Sequence, residues 1–156
     1  MSKETRRHPR FRSVADLMRR DVVTISPDAT VAELARLLRS RALTGIPVVD
    51  AEGAAIGTVS VTDLLWLSDQ LRPTPSALRR GDRWEGLGGK TVREVMTPDV
   101  FGVSPEASIE DLLEFFARTG LHRAMVLEAG KVVGIVSATD VLGLIADEVP
   151  ISQLTR

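Results

Sequence analysis

Two heptapeptides bring hydroxyl and carboxylate side chains together at matching spacing, Gly57-Thr58-Val59-Ser60-Val61-Thr62-Asp63 and Gly134-Ile135-Val136-Ser137-Ala138-Thr139-Asp140. In each, alternating apolar residues run into a serine, a threonine follows two positions later, and the next residue is an aspartate that opens an apolar run. The pattern is that of a strand leading directly into a helix. Such a junction aims backbone N–H groups and the positive end of the helix dipole at one spot, ready for an anion. The same Ser-x-x-Asp spacing also fits a capping box, in which serine and acid only start the helix. Capping accounts for Ser60, Asp63, Ser137 and Asp140, but it does not require Thr62 and Thr139.

No other residues assemble a reactive set. The chain has no cysteine, so it holds no disulfide, thiolate nucleophile or zinc thiolate site, which fits a reducing compartment. His8 and His122 lack a second histidine or a suitably spaced carboxylate, and no metal site is expected. No nucleophile elbow and no glycine loop preceding a lysine is present. The expectation is therefore a protein with no catalytic residue and no required cofactor.

The elements that position the two heptapeptides repeat with them. Asp21-Val22 recurs as Asp99-Val100, Met18 as Met96, Ser26-Pro27 as Ser104-Pro105, Leu34 as Leu112 and Leu43 as Leu121, with one deletion near the Gly53 and Gly130 turns. A repeat of about 55 residues is too short to bury a good core alone, so the two copies are expected to pack into one body. In the first copy, Val14, Leu17 and Met18 have helical spacing and Val22 to Ile25 read as a strand. Thr30 with Glu33 caps a helix bearing Val31, Leu34, Ala35 and Leu38. Ile46 to Val49 and Ile56 to Val59 flank the turn Asp50-Ala51-Glu52-Gly53 as a hairpin, with Pro47 suited to a strand start or edge. A second helix runs from about Thr62 towards Leu71. The second copy repeats the order: Val92 to Met96, a strand from Val100 to Val103, a helix capped by Ser108 and ended by Gly120, a hairpin across Glu128 to Lys131, and a helix from Thr139 past Ile145. Each unit reads as β-α-β-β-α, an α/β chain of the α+β type. The expected boundaries are a basic flexible tail over 1–13, units over 14–71 and 92–147, a linker over 72–91 and a C-terminal tail over 148–156.

Composition is that of an ordinary soluble domain: 156 residues, 44% hydrophobic and 26% charged. The net charge of −1 argues against the whole chain being an electrostatic nucleic-acid binder. No apolar run reaches the roughly eighteen residues of a membrane span, and no signal-peptide pattern follows the charged start, so a cytoplasmic protein is expected. Arg6, Arg7, Arg10 and Arg12 in the tail, and Arg79, Arg80 and Arg83 beside Trp84 in the linker, are the basic clusters.

Two Gly-hydrophobe-x-Ser-x-Thr-Asp motifs, each following a Ser-Pro and an apolar hairpin strand, resemble a tandem pair of CBS domains, the family named after cystathionine β-synthase. The resemblance spans residues 14–147 and implies a pseudo-twofold Bateman module. In that arrangement two clefts between the units bind adenosyl compounds such as AMP, ADP or ATP, with S-adenosylmethionine and NAD as further ligands. It further implies that Asp63 and Asp140 accept hydrogen bonds from ribose hydroxyls, and that Ser60, Thr62, Ser137 and Thr139 contact ribose or phosphate. Ile46 and Ala124 fall where hairpin backbone flanks the adenine. His122 and Arg123 match a pair set against phosphate, which by the resemblance serves the ligand of Asp63; Arg offers a planar fork suited to phosphate oxygens. The equivalent positions in the first copy are Thr44 and Gly45, leaving the Asp140 copy without a matching cation. One phosphate-competent site and one weaker or nucleoside-like site follow. The module implied is regulatory: a homodimer that changes shape on binding and signals to an unidentified protein. Two other readings stay open: an interaction module with vestigial sites, and a polynucleotide binder using the basic tail and linker.

Overall fold

A computed structural model describes residues 13–70 and 86–148. The basic tail through Arg12, the linker residues 71–85 with Trp84, and the C-terminal residues 149–156 lie outside the described residues. The elements in order are α1 (Val14–Leu17), α2 (Val31–Arg41), β1 (Gly45–Val49), β2 (Ala55–Ser60), α3 (Val61–Gln70), α4 (Val92–Val95), β3 (Gly102–Val103), α5 (Ile109–Thr119), β4 (Arg123–Glu128), β5 (Lys131–Ser137) and α6 (Ala138–Glu148). The architecture is α+β, as the sequence periodicities require.

The chain forms two compact units whose limits are offset from the sequence repeat. One unit runs from Val23 to Val100; the other joins the described residues up to Val22 to those from Phe101 onward. The leading helix of each copy thus belongs to the core built around the other copy's motif. In the Val23–Val100 unit, Val92 of α4 is buried with Ile25, Leu34, Leu38, Ile46, Val48 and Val59. In the other unit, Val14 of α1 and Met18 are buried with Leu112, Ala124, Val126, Val136 and Val141. Fully burying a Val or Leu side chain contributes about 1.5–3 kcal/mol, so a one-turn helix that brings Val14 or Val92 to full burial is held by its core, not by its own hydrogen bonds.

Local chemistry sets the element ends. Thr30 accepts from the Glu33 N–H while Glu33 accepts from the Thr30 N–H at 2.7 Å, a reciprocal cap of α2. Thr91 with Glu94 and Ser108 with Asp111 repeat the device on α4 and α5. Gly120 ends α5 at φ 67°, a left-handed conformation that glycine adopts without strain. Strands β1 and β2 pair antiparallel, and β4 pairs antiparallel with β5.

The strand expected over Val22 to Ile25 shrinks to a single parallel bridge between Ile25 and Val48. Ile25 donates to the Pro47 carbonyl and accepts from the Val49 N–H. Pro47 therefore loses nothing by lacking an N–H, because only its carbonyl is used on that side. The equivalent strand of the second copy is β3, two residues long and parallel to β4.

The glycine that opens each motif lets the segment after α1 or α4 close against the hairpin. Thr97 and Thr58 exchange backbone hydrogen bonds, each at 2.9 Å, and Arg19 and Ile135 do the same at 2.8 and 2.9 Å. A methyl group on Gly57 would overlap the Thr97 carbonyl oxygen and press on Pro98 Cα at 3.2 Å. On Gly134 it would meet Met18 Sδ at 2.5 Å and the Arg19 carbonyl oxygen at 3.2 Å.

Gly57→Ala therefore displaces backbone and is expected to lower the unfolding free energy by about 2–3 kcal/mol, against about 1 kcal/mol for Gly134→Ala, whose main obstacle is a methionine side chain. Urea unfolding of the two variants measures the difference; equal losses would contradict it. The caps carry a pH dependence. The Thr30 backbone N–H and hydroxyl hold the Glu33 carboxyl below its ordinary value of 4.5, and Thr91 does the same for Glu94. A lowered folded-state value means stability that is present above the ordinary value and lost as pH falls through the lowered one. Melting temperatures should therefore decline below about pH 4.5, and Glu33→Gln, which keeps an acceptor without a titrating group, should flatten that decline.

Candidate functional site

The two heptapeptides build the same strand-to-helix junction. In the first, Asp63 Oδ2 accepts from the Ser60 N–H at 2.7 Å and from Ser60 Oγ at 2.8 Å, while the Asp63 N–H points to Ser60 Oγ at 3.4 Å. In the second, Asp140 Oδ2 accepts from the Ser137 N–H at 2.8 Å and from Ser137 Oγ at 2.6 Å, and the Asp140 N–H donates to Ser137 Oγ at 3.2 Å. The first helical N–H of each helix is also occupied: Val61 donates to the Thr44 carbonyl and Ala138 to the His122 carbonyl. The capping reading is thus realised in full. The positive helix end that the sequence offered to an outside anion already holds the motif's own carboxylate, and its first and third N–H groups are taken by the Thr44 or His122 carbonyl and the serine hydroxyl.

What capping leaves over is the second carboxylate oxygen. Among the described residues Asp63 Oδ1 meets only the exposed Thr97 hydroxyl, at 3.5 Å. Asp140 Oδ1 faces Arg19 Nη2 at 3.4 Å, with the arginine side chain 78% exposed and the aspartate 16%. Thr62 and Thr139, which make no part of the cap, are exposed.

The other sequence-predicted residues divide between the units. Ser60, Thr62, Asp63 and Ile46 lie in the Val23–Val100 unit; Ser137, Thr139, Asp140, His122, Arg123 and Ala124 lie in the other. Ile46 and Ala124 occupy equivalent places in their hairpins, opposite Val59 and Val136, and both are buried. Arg123 is exposed, and its backbone pairs with Ser137; the equivalent Gly45 pairs with Ser60. Met18 is a buried core residue, as expected from its spacing, and Met96 packs partly buried against its core.

Arg19 and Thr97 are the residues that sequence reasoning passed over. The Asp140 motif does have a cation, contrary to the expectation drawn from Thr44 and Gly45; it comes from the segment after α1. The signal was available, because the repeat aligns Met18 with Met96 and so sets Arg19 against Thr97. Among the described residues no group of acidic or histidine side chains could hold a metal ion, and no helix is long and apolar enough to cross a membrane.

The model of the CBS domain family matches residues 14–68 and 92–147, and the chain belongs to that family, with the two motifs as its repeated signature. Among curated proteins it is 31% identical over 129 residues to the CBS domain-containing protein YhcV of Bacillus subtilis, covering 82% of this chain and 81% of that one. It is 28% identical over 138 residues to the uncharacterized protein MJ1232 of Methanocaldococcus jannaschii, covering 88% of this chain but 40% of the relative. The match to the inosine-5'-monophosphate dehydrogenase of the same organism, at 27% identity, covers 21% of that enzyme. The chain therefore spans less than half of several relatives it matches. Among solved structures, CBSX2 in complex with AMP aligns at a TM-score of 0.70 and 28% identity, covering 88% of this chain and 98% of CBSX2. The CBS domain pair of protein MJ0100, solved with 5'-methylthioadenosine and S-adenosylmethionine, shares the fold at a TM-score of 0.64 and 21% identity.

Losing the serine hydroxyl removes its bond to the carboxylate oxygen and the N3 cap while the backbone N–H bond remains, so Ser60→Ala and Ser137→Ala should each cost about 1 kcal/mol of stability. Thr62→Ala and Thr139→Ala should stay within about 0.5 kcal/mol of the unsubstituted chain. Chemical denaturation of the four variants checks this. A threonine loss as large as the serine loss would make the threonines part of the helix start.

Proposed function

We infer that the chain is a regulatory module that binds adenosyl compounds at its two Ser-x-Thr-Asp motifs. The observation that carries the reading is the free side of each motif carboxylate. One oxygen is consumed in starting the helix, and the other is met, among the described residues, only by exposed side chains, Thr97 or Arg19. An ionised carboxylate only accepts, and its remaining lone pairs suit the donors of a ribose cis-diol. Hydrogen bonds to a charged group contribute about 1.5–3 kcal/mol each. The exposed Thr62 and Thr139 hydroxyls add donors for ribose or phosphate, and the buried hairpin backbone at Ile46 and Ala124 flanks the base. Arg123, with His122, supplies a planar donor fork for phosphate. The AMP complex of CBSX2, at 28% identity, supports this reading and favours AMP, ADP or ATP as the ligand.

The module reads as a binder and not a catalyst, because both motif carboxylates are tied to their own serines. Binding shifts the chain's conformations by its differential affinity for them, and an unidentified protein reads the shift. Apolar side chains exposed on α3 and α6, Trp66 at 66% and Leu142 at 60%, support a homodimer joined through these helices. Placement in the cytoplasm completes the reading.

Isothermal titration of nucleotide-stripped protein with AMP, ADP, ATP, NAD and S-adenosylmethionine tests it. Micromolar binding, about −8 kcal/mol, is expected for at least one adenosyl compound. Asp63→Ala and Asp140→Ala should each remove one site, and Arg123→Ala should weaken phosphorylated ligands while leaving adenosine unchanged. Folded, stripped protein that gives no heat with any of them would leave the motifs as helix caps and the chain as an interaction module.

A further inference from the structure

We propose that Arg19 is a specificity-determining residue for the Asp140 motif, biasing it towards phosphorylated adenosyl ligands and against cationic ones. The inference rests on the adenosyl-binding reading and adds to it which charge class the motif selects. The two motifs are alike in every cap hydrogen bond and differ at the outer carboxylate oxygen. There Asp63 faces a neutral hydroxyl, Thr97 Oγ1 at 3.5 Å, and Asp140 faces a guanidinium, Arg19 Nη2 at 3.4 Å. Arg19 and Thr97 hold the same place in their units, each bridged through its backbone to the strand that ends in the motif serine. The substitution of one for the other is therefore a change of charge on a fixed frame.

Charge decides the consequence. At Asp63 the carboxylate stands with no cation within hydrogen-bonding reach among the described residues, so the motif is locally negative. At Asp140 the guanidinium cancels it. A ligand held by its ribose on a negative motif meets repulsion when it carries phosphate and attraction when it carries a sulfonium. On the neutralised motif the phosphate is no longer repelled, and the guanidinium fork is a donor for its oxygens. Because the arginine side chain is 78% exposed, its pairing with Asp140 is weak enough to yield to a ribose hydroxyl. Its positive charge stays beside the bound ligand either way.

The test uses the full chain with Asp63→Ala, so that only the Asp140 motif reports, and titrates it with AMP, adenosine and S-adenosylmethionine. AMP should bind more tightly than adenosine, and adding Arg19→Thr should cut that preference about tenfold and improve the relative binding of S-adenosylmethionine. Arg19→Lys, which keeps the charge, should retain most of the preference. The preference should shrink at high salt, as expected for an exposed charge. Conversely, Thr97→Arg on an Asp140→Ala background should raise the AMP-to-adenosine preference of the Asp63 motif above that of the Asp140→Ala chain alone. The bridging contacts of residue 19 are backbone, so the side-chain variants keep the fold. If AMP binds but Arg19→Thr leaves the AMP-to-adenosine ratio unchanged, the role of Arg19 is overturned and the adenosyl reading stands. If none of the three ligands binds either single-motif chain or the unsubstituted one, both are overturned.

Discussion

In both motifs a single carboxylate oxygen gathers two donors from the serine three residues before it, and by doing so fixes where a strand stops and a helix starts. The remaining geometry of the motif hangs on that closure. It goes with a first helical N–H held by the carbonyl of Thr44 or His122, just ahead of the paired strand, and leaves the second carboxylate oxygen outward. The division of labour within one side chain lets a residue that caps a helix keep an oxygen for another partner. A capping role and a ligand role are usually weighed as rivals; the two oxygens of Asp63, or of Asp140, leave room for both.

The outward oxygen in turn depends on what the adjoining segment brings to it. Gly57 and Gly134 allow the chain after α4 and α1 to bridge the motif strand so closely that a methyl group would collide with it. That close approach delivers Thr97 to one motif and Arg19 to the other. A glycine at the start of the heptapeptide is thus chemically silent but decides which side chain faces the outward carboxylate oxygen, since it admits the close bridge.

Helices, hairpins and caps were legible in the sequence because their causes are local. Thr30 and Glu33, Ser108 and Asp111, and Gly120 announce their roles within one turn of chain. The β-rich run from Val22 to Ile25 was not legible as it stands, because β-propensity reports a residue's fitness for a pleated surface and not the length of the partner; of that run only Ile25 bridges to β1, at Val48. Helical spacing showed which face of the Val14 and Val92 helices is buried, but no period names the core that receives it. The site divides the same way. Ser60, Thr62, Asp63 and their counterparts were visible as a repeated pattern, whereas Arg19 meets Asp140 across 121 positions of sequence, and only the alignment of Met18 with Met96 pointed there.

The offset between repeat and packing unit has a consequence for ancestry. Each copy lends its leading helix to the core of the other, with the chain passing between units at Val22 and Val23 and again at Val100 and Phe101. A lone ancestral copy with this topology would have had to complete its core by trading that helix with a second molecule, as a swapped dimer. Joining two such copies in one chain turns an exchange between molecules into an exchange within one. Once the partners were covalently joined they no longer had to be identical, and an arginine and a threonine were free to diverge at one ancestral position.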